Sequence, residues 1–98
     1  MNLQAMMKQA QKLQKDMMNA KEEIDNTDYE ISKSFVTIKA KGNKTITSID
    51  INMDLLEKED VEVLQDLVQV AINELFNNID KDIEKKMGKF SNGMPGLF

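Results

Sequence analysis

FVTIKAKGNKTITSIDI, residues 35–51, is the stretch that decides the fold. Both halves are rich in β-branched residues, which suit a pleated, half-buried surface. Gly42-Asn43 lies between Lys41 and Lys44 where a two-residue hairpin loop belongs. With that loop, Ala40 faces Thr45, Ile38 faces Thr47 and Val36 faces Ile49. Val36, Ile38, Ile49 and Ile51 then share one face, so turn chemistry and apolar alternation agree. Strands are expected over 35–41 and 45–52. Upstream, Tyr29, Ile31 and Phe35 alternate out of phase with Val36, so a turn or bulge near Ser32–Ser34 separates a further strand, 29–33, from the hairpin.

Long helical patterns flank this sheet. Leu3, Met6, Ala10, Leu13, Met17, Ala20 and Ile24 recur at the 3–4 spacing of a helix with one packed stripe, and Asn2 can cap it. Asp25, Asn26, Thr27 and Asp28 end it. A helix over 3–26 is about 33–36 Å long, more than so small a globule needs, and should project or lie along a partner. Asp60 is a plausible cap for a second helix over 60–87, with Leu64, Leu67, Ala71, Leu75, Ile79, Ile83 and Met87 along its stripe and Gly88 as its stop. A short turn at Asp54-Leu55-Leu56 precedes it, and the turn-rich residues 91–98 read as a flexible tail. The fold class is α+β: long N-terminal helix, two- to three-stranded antiparallel sheet, long C-terminal helix, in one domain over 1–90. Its small core makes a shared dimer core attractive.

The 98 residues contain no cysteine and no histidine. Thiolate nucleophiles, imidazole bases and the common zinc and iron sites are therefore excluded, and neither an enzyme nor a cofactor is expected. No apolar run is long enough to cross a bilayer, and a charged-then-apolar leader with a cleavage site is not expected. The absence of cysteine fits a reducing cytosol. All 13 basic residues are lysine, so a bidentate arginine contact to guanine is ruled out while point-charge binding of phosphate is not.

The net charge of −4 conceals segregation by sign. Residues 1–21, 31–49 and 85–98 are basic, and 22–30 and 50–84 are acidic. Lys8, Lys12 and Lys15 fall together opposite the first apolar stripe. Such a face is by itself the ordinary solvated side of a helix, just as Lys85, Lys86 and Lys89 can merely complement a helix C-terminus. Met7 and Met18 lie off the stripe and pack on a partner subunit more often than they wedge between base steps.

Met7-Lys8-Gln9-Ala10-Gln11, the Val36-to-Gly42 strand and turn, Ile49-x-Ile51 before Leu55-Leu56, and Leu64-x-Asp66-Leu67 with Ala71 and Asn73 occur in one order over almost the whole chain. In these the sequence resembles the YbaB/EbfC family of bacterial nucleoid-associated proteins. Ser32-Lys33-Ser34 stands where the family usually has a glycine-rich turn. The resemblance implies a tweezer-like homodimer joined through the sheet, with Phe35, Val36, Ile38, Ile49 and Ile51 as expected interface residues. It also implies cytoplasmic, nucleoid-located binding of double-stranded DNA that alters or organises its conformation. Lys8, Lys12, Lys15, Lys85, Lys86 and Lys89 are the expected contacts to backbone phosphates, with the hairpin lysines Lys39, Lys41 and Lys44 in reserve. No membrane or small-molecule partner is expected. The alternative is a dimeric helical protein-interaction module that grips through its methionines without binding DNA.

Overall fold

The computed structural model describes residues 2–52, 54 and 57–91. The elements run α1 (Leu3–Asp25), β1 (Asp28–Lys33), β2 (Val36–Lys41), β3 (Ile46–Ile51), a 3₁₀ turn (Lys58–Asp60) and α2 (Val61–Ser91). The sheet is antiparallel in the order β1-β2-β3. The Asp54-Leu55-Leu56 turn lies outside the described residues except for Asp54, and the tail expected over 91–98 does so except for Ser91.

α1 begins where its capping chemistry allows, with Asn2 Oδ1 accepting from the Gln4 amide at 2.9 Å. At its other end, Asn26 Nδ2 donates to the Glu22 carbonyl and Thr27 Oγ1 to the Glu23 carbonyl, which satisfies carbonyls the helix leaves unpaired. β1 and β2 join through a two-residue turn, Ser34-Phe35, with Lys33 opposite Val36. Ser34 has φ 53°, the left-handed conformation that a glycine would adopt more readily. The even loop explains the change of parity: Tyr29, Ile31 and Lys33 pair with Ala40, Ile38 and Val36 on one face.

The second hairpin corrects the expected register. The loop has three residues, Gly42, Asn43 and Lys44, with Lys44 left-handed at φ 66° and the Lys41 amide bonded to the Thr45 carbonyl. This is the pattern of a turn followed by one αL residue. A second irregularity lies between Lys39 and Ala40, which pair with Ser48 and Ile46, leaving Thr47 as the extra residue. The two single-residue shifts add, so Val36 faces Ile51 and Ile38 faces Ile49 rather than Ile49 and Thr47. Because the total shift is even, Val36, Ile38, Ile49 and Ile51 keep their common face.

α2 lies across that face. Val36, Ile38 and Ala40 are fully buried against Ala71, Leu75 and Ile79, with Ile31 completing the core. The opposite face is polar, carrying Glu30, Ser32, Thr37, Lys39, Ser48 and Asp50. A separate cluster joins the helices: Ile24, Met87 and Phe90 are buried, with Leu13, Met17, Ala20 and Ile83 packed around them. Phe90 explains why α2 continues past Gly88, expected as its stop, to Ser91: the next turn still has apolar surface to cover. At the start of α2 the capping group also differs from expectation. Asp60 Oδ2 accepts from the Glu57 amide at 2.9 Å, so Asp60 closes the 3₁₀ turn from within. The whole is 70 × 19 × 13 Å, elongated because the helices overlap over only part of their length.

Candidate nucleic-acid interface

Among the described residues, α1 is covered by α2 only from Ile24 back to Leu13. Its preceding turns project into solvent, where Lys8 and Lys12 are exposed, and Lys15 is exposed beside them. Since α2 packs on the apolar stripe, the three lysines opposite it point away from the body. Among the described residues none of them forms an ion pair. Three unneutralised charges on one side of a projecting helix form the strongest candidate phosphate surface of the molecule.

The hairpin lysines differ. Lys41 pairs with Asp28 at 2.6 Å, Lys44 with Asp80 at 2.6 Å and Lys39 with Glu30 at 3.6 Å. Lys44 also stands over the Phe76 ring at 6.0 Å. Lys33 pairs with Glu74 at 2.6 Å. A phosphate would have to displace a carboxylate at each of these positions, so they fit structural roles better than DNA contact.

The α2 lysines divide. Lys85, Lys86 and Lys89 are exposed and border a depression shared with Ala20, Glu23 and Ile24 of α1. Glu23 and Lys12 are eleven residues apart, about 20° in helical phase, so this depression opens towards the flank of α1 that carries Lys12. Lys85 forms no ion pair among the described residues, and Lys89 lies 5.1 Å from the Phe90 ring centroid. Lys86 is held by Asp82 at 2.8 Å. The Tyr29 hydroxyl also donates to Asp82, tying β1 to α2.

Each group of this triad responds to the others. Hydrogen bonds from Lys86 and then Tyr29 hold the Asp82 carboxyl below the usual carboxylate range. The bond to Asp82 raises the Lys86 ammonium, and burial followed by the Asp82 bond raises the Tyr29 phenol. The acid-before-lysine spacing of Asp82 and Lys86 is legible in sequence as a helical i,i+4 pair. The part played by Tyr29, 53 residues away, is not.

Of the residues expected at a dimer interface, Val36 and Ile38 have no surface left, because α2 covers them within the protomer. Phe35 and Ile51 are half-buried and Ile49 is 46% exposed. Ile49 faces the same way as Ile38, but α2 lies over β1 and β2 and does not reach it. Among the described residues no group of acidic side chains is arranged to hold a metal ion, and no helix is long and apolar enough to cross a membrane.

The sequence model of the YbaB/EbfC DNA-binding family matches residues 1–94. A nucleoid-associated protein of Lactococcus lactis subsp. cremoris is 46% identical, over 97% of this chain and 98% of its own length. Nucleoid-associated proteins of Ligilactobacillus salivarius and Enterococcus faecalis are 41% and 40% identical, over 99% and 98% of this chain and 95% and 94% of their own lengths. The match spans both helices and the sheet between them, and the chain belongs to the YbaB/EbfC DNA-binding family.

Proposed function

We propose that this protein is a nucleoid-associated protein of the bacterial cytoplasm that binds duplex DNA as a homodimer, chiefly through backbone phosphates. Binding is architectural, not enzymatic, and organises the conformation of the DNA. The observation that carries this reading is the contrast between lysines: among the described residues Lys8, Lys12 and Lys15 stand without an ion-pair partner on a projecting helix, while Lys39, Lys41 and Lys44 are each matched by a carboxylate. Lys85 and Lys89 extend the surface along α2. Lysine supplies charge without a base code, so affinity should vary little with sequence. Family membership and the names of the relatives support the same reading.

A salt titration of duplex binding tests it. Each phosphate neutralised contributes about 0.9 to the slope of log affinity against log salt. Replacing Lys8, Lys12 and Lys15 with Gln should flatten that slope by up to about five units if all six lysines of a dimer engage. Glutamine preserves helix propensity, so the fold should survive. An unchanged slope and affinity would remove α1 from the interface. The exposed Met7 and Met18 favour the other reading, docking of a protein partner, whose affinity would depend weakly on salt.

A further inference from the structure

Two helix faces at opposite ends of the rod carry exposed charge of opposite sign. α1 ends beside the β2–β3 loop, where the Gly42 amide donates to the Thr27 carbonyl, so Lys8, Lys12 and Lys15 lie away from the sheet. α2 begins over the sheet, and only its last turns, from Ile83, reach α1. Its first turns therefore lie at the other end. From Glu62 to Met87, which packs against α1, α2 rises about 37 Å.

Glu59, Glu62, Val63 and Asp66 follow the spacing of one helical stripe, turned away from the core residues Ala71, Leu75 and Ile79. All four are exposed, Val63 by 48%. Among the described residues none of the three carboxylates forms an ion pair, as none of Lys8, Lys12 and Lys15 does. The residues outside that set, Met1, Met53, Leu55, Leu56 and 92–98, include no charged side chain. The charge of neither face is thus met by a side chain of its own protomer.

The spacings match. Lys8, Lys12 and Lys15 step by four residues and then three, and so do Asp66, Glu62 and Glu59 read backwards. In antiparallel helices both sets rise by about 6 and then 4.5 Å, so Lys8 meets Asp66, Lys12 meets Glu62 and Lys15 meets Glu59 at equal heights. The methylene stems of Lys8 and Lys12 then lie over Val63. Within one protomer the faces are too far apart to touch.

We propose that the lysine face of α1 docks antiparallel on the Glu59–Glu62–Asp66 face of α2 in a second copy of this chain. α1 and α2 are antiparallel within a protomer, so this contact keeps the two rods pointing the same way. It is heterologous, and copies join head to tail in open chains instead of closed pairs. Exposed ion pairs are weak and screened by salt, which makes the chains a low-salt species. The contact needs no DNA and leaves the sheet free for a homodimer. Lysines engaged in it are withheld from phosphate, so chain growth and duplex binding compete.

Sedimentation velocity of the full-length protein without nucleic acid tests this. At low salt the weight-average mass should climb with concentration past twice the chain mass, and at high salt it should become independent of concentration. Glu62→Gln with Asp66→Asn, and separately Lys12→Gln with Lys15→Gln, should each abolish the climb with circular dichroism unchanged, since all four residues are exposed. Exchanging the signs in one chain should restore it: Lys8→Glu, Lys12→Glu and Lys15→Glu combined with Glu59→Lys, Glu62→Lys and Asp66→Lys. A constant mass at low salt, or chains that persist in either neutral variant, would overturn the proposal. A folded sign-exchanged protein that does not associate would show that these two faces do not pair. None of these readouts involves DNA, so their failure leaves the duplex reading standing.

Discussion

At Gly42 the requirement for glycine is one of space. A Cβ there would lie 2.0 Å from the Ile24 carbonyl oxygen and 2.7 Å from its carbon, both backbone atoms that cannot rotate aside. Gly42 also donates to the Thr27 carbonyl, so the end of α1 rests on the β2–β3 loop at this point. Gly42→Ala should destabilise by about 2–3 kcal/mol, the cost of forcing atoms into a filled site. In a domain of this size that lowers Tm by about 10 °C or more, measurable by thermal melting. Tyr29, Asp82 and Lys86 give a second prediction at this scale. Asp82 titrates below its ordinary 3.8, so its contribution is complete above that value and disappears as pH falls through the lowered one. Lys86 and Tyr29 titrate above their ordinary 10.5 and 10.0, so theirs persist through neutral pH and are lost only as pH rises through the raised values. The Tm gap between wild type and Asp82→Asn should be widest near neutrality and narrow below about pH 4.

At the scale of elements, the lysines of the hairpin and of α1 make a paired experiment. Replacing Lys39, Lys41 and Lys44 with Gln should leave the salt slope of DNA binding unchanged, since their charges already meet Glu30, Asp28 and Asp80. Asp82→Asn should do the reverse of the α1 triple variant. It frees Lys86, and the slope should steepen by up to about 0.9 per protomer, read from the same duplex titration. The elements themselves were legible in the sequence because long helices announce themselves by periodicity and the sheet by its alternation. The pairing of β2 with β3 was not. A Gly-Asn pair reads as a two-residue loop, but close approach to Ile24 takes Gly42, and the left-handed residue falls at Lys44, which no propensity marks. The bulge at Thr47 leaves no compositional trace either. Only because two odd shifts make an even one did the apolar face come out right. Unpaired and paired lysines likewise look identical in sequence, since the partners lie on other elements, Glu30 of β1 for Lys39 and Asp80 of α2 for Lys44.

The whole molecule is a 70 Å rod with its neutral and charged surfaces unevenly distributed. Among the described residues α2 is the only long helix over the sheet, and it shields β1 and β2 but leaves the apolar side of β3 open at Ile49. β3 is also an edge strand, so one of its sides offers unpaired backbone groups to another chain. A second protomer placed against β3 would cover both features at once and set the two projecting α1 helices as a pair of lysine-bearing arms. Light scattering should then give about twice the chain mass of 11.2 kDa. Ile49→Lys is the decisive variant. Ile49 is nearly half exposed within the protomer, so the substitution should leave the fold and its circular dichroism intact while placing a charge in the interface. The variant should run as a monomer at micromolar concentration. Its DNA binding should lose about half of the wild-type salt slope, because each monomer brings three α1 lysines to the duplex where the dimer brings six. Retention of the dimer by a folded Ile49→Lys protein would move the interface away from β3, and the exposed Val63 and Val70 of α2 would be the next surface to test.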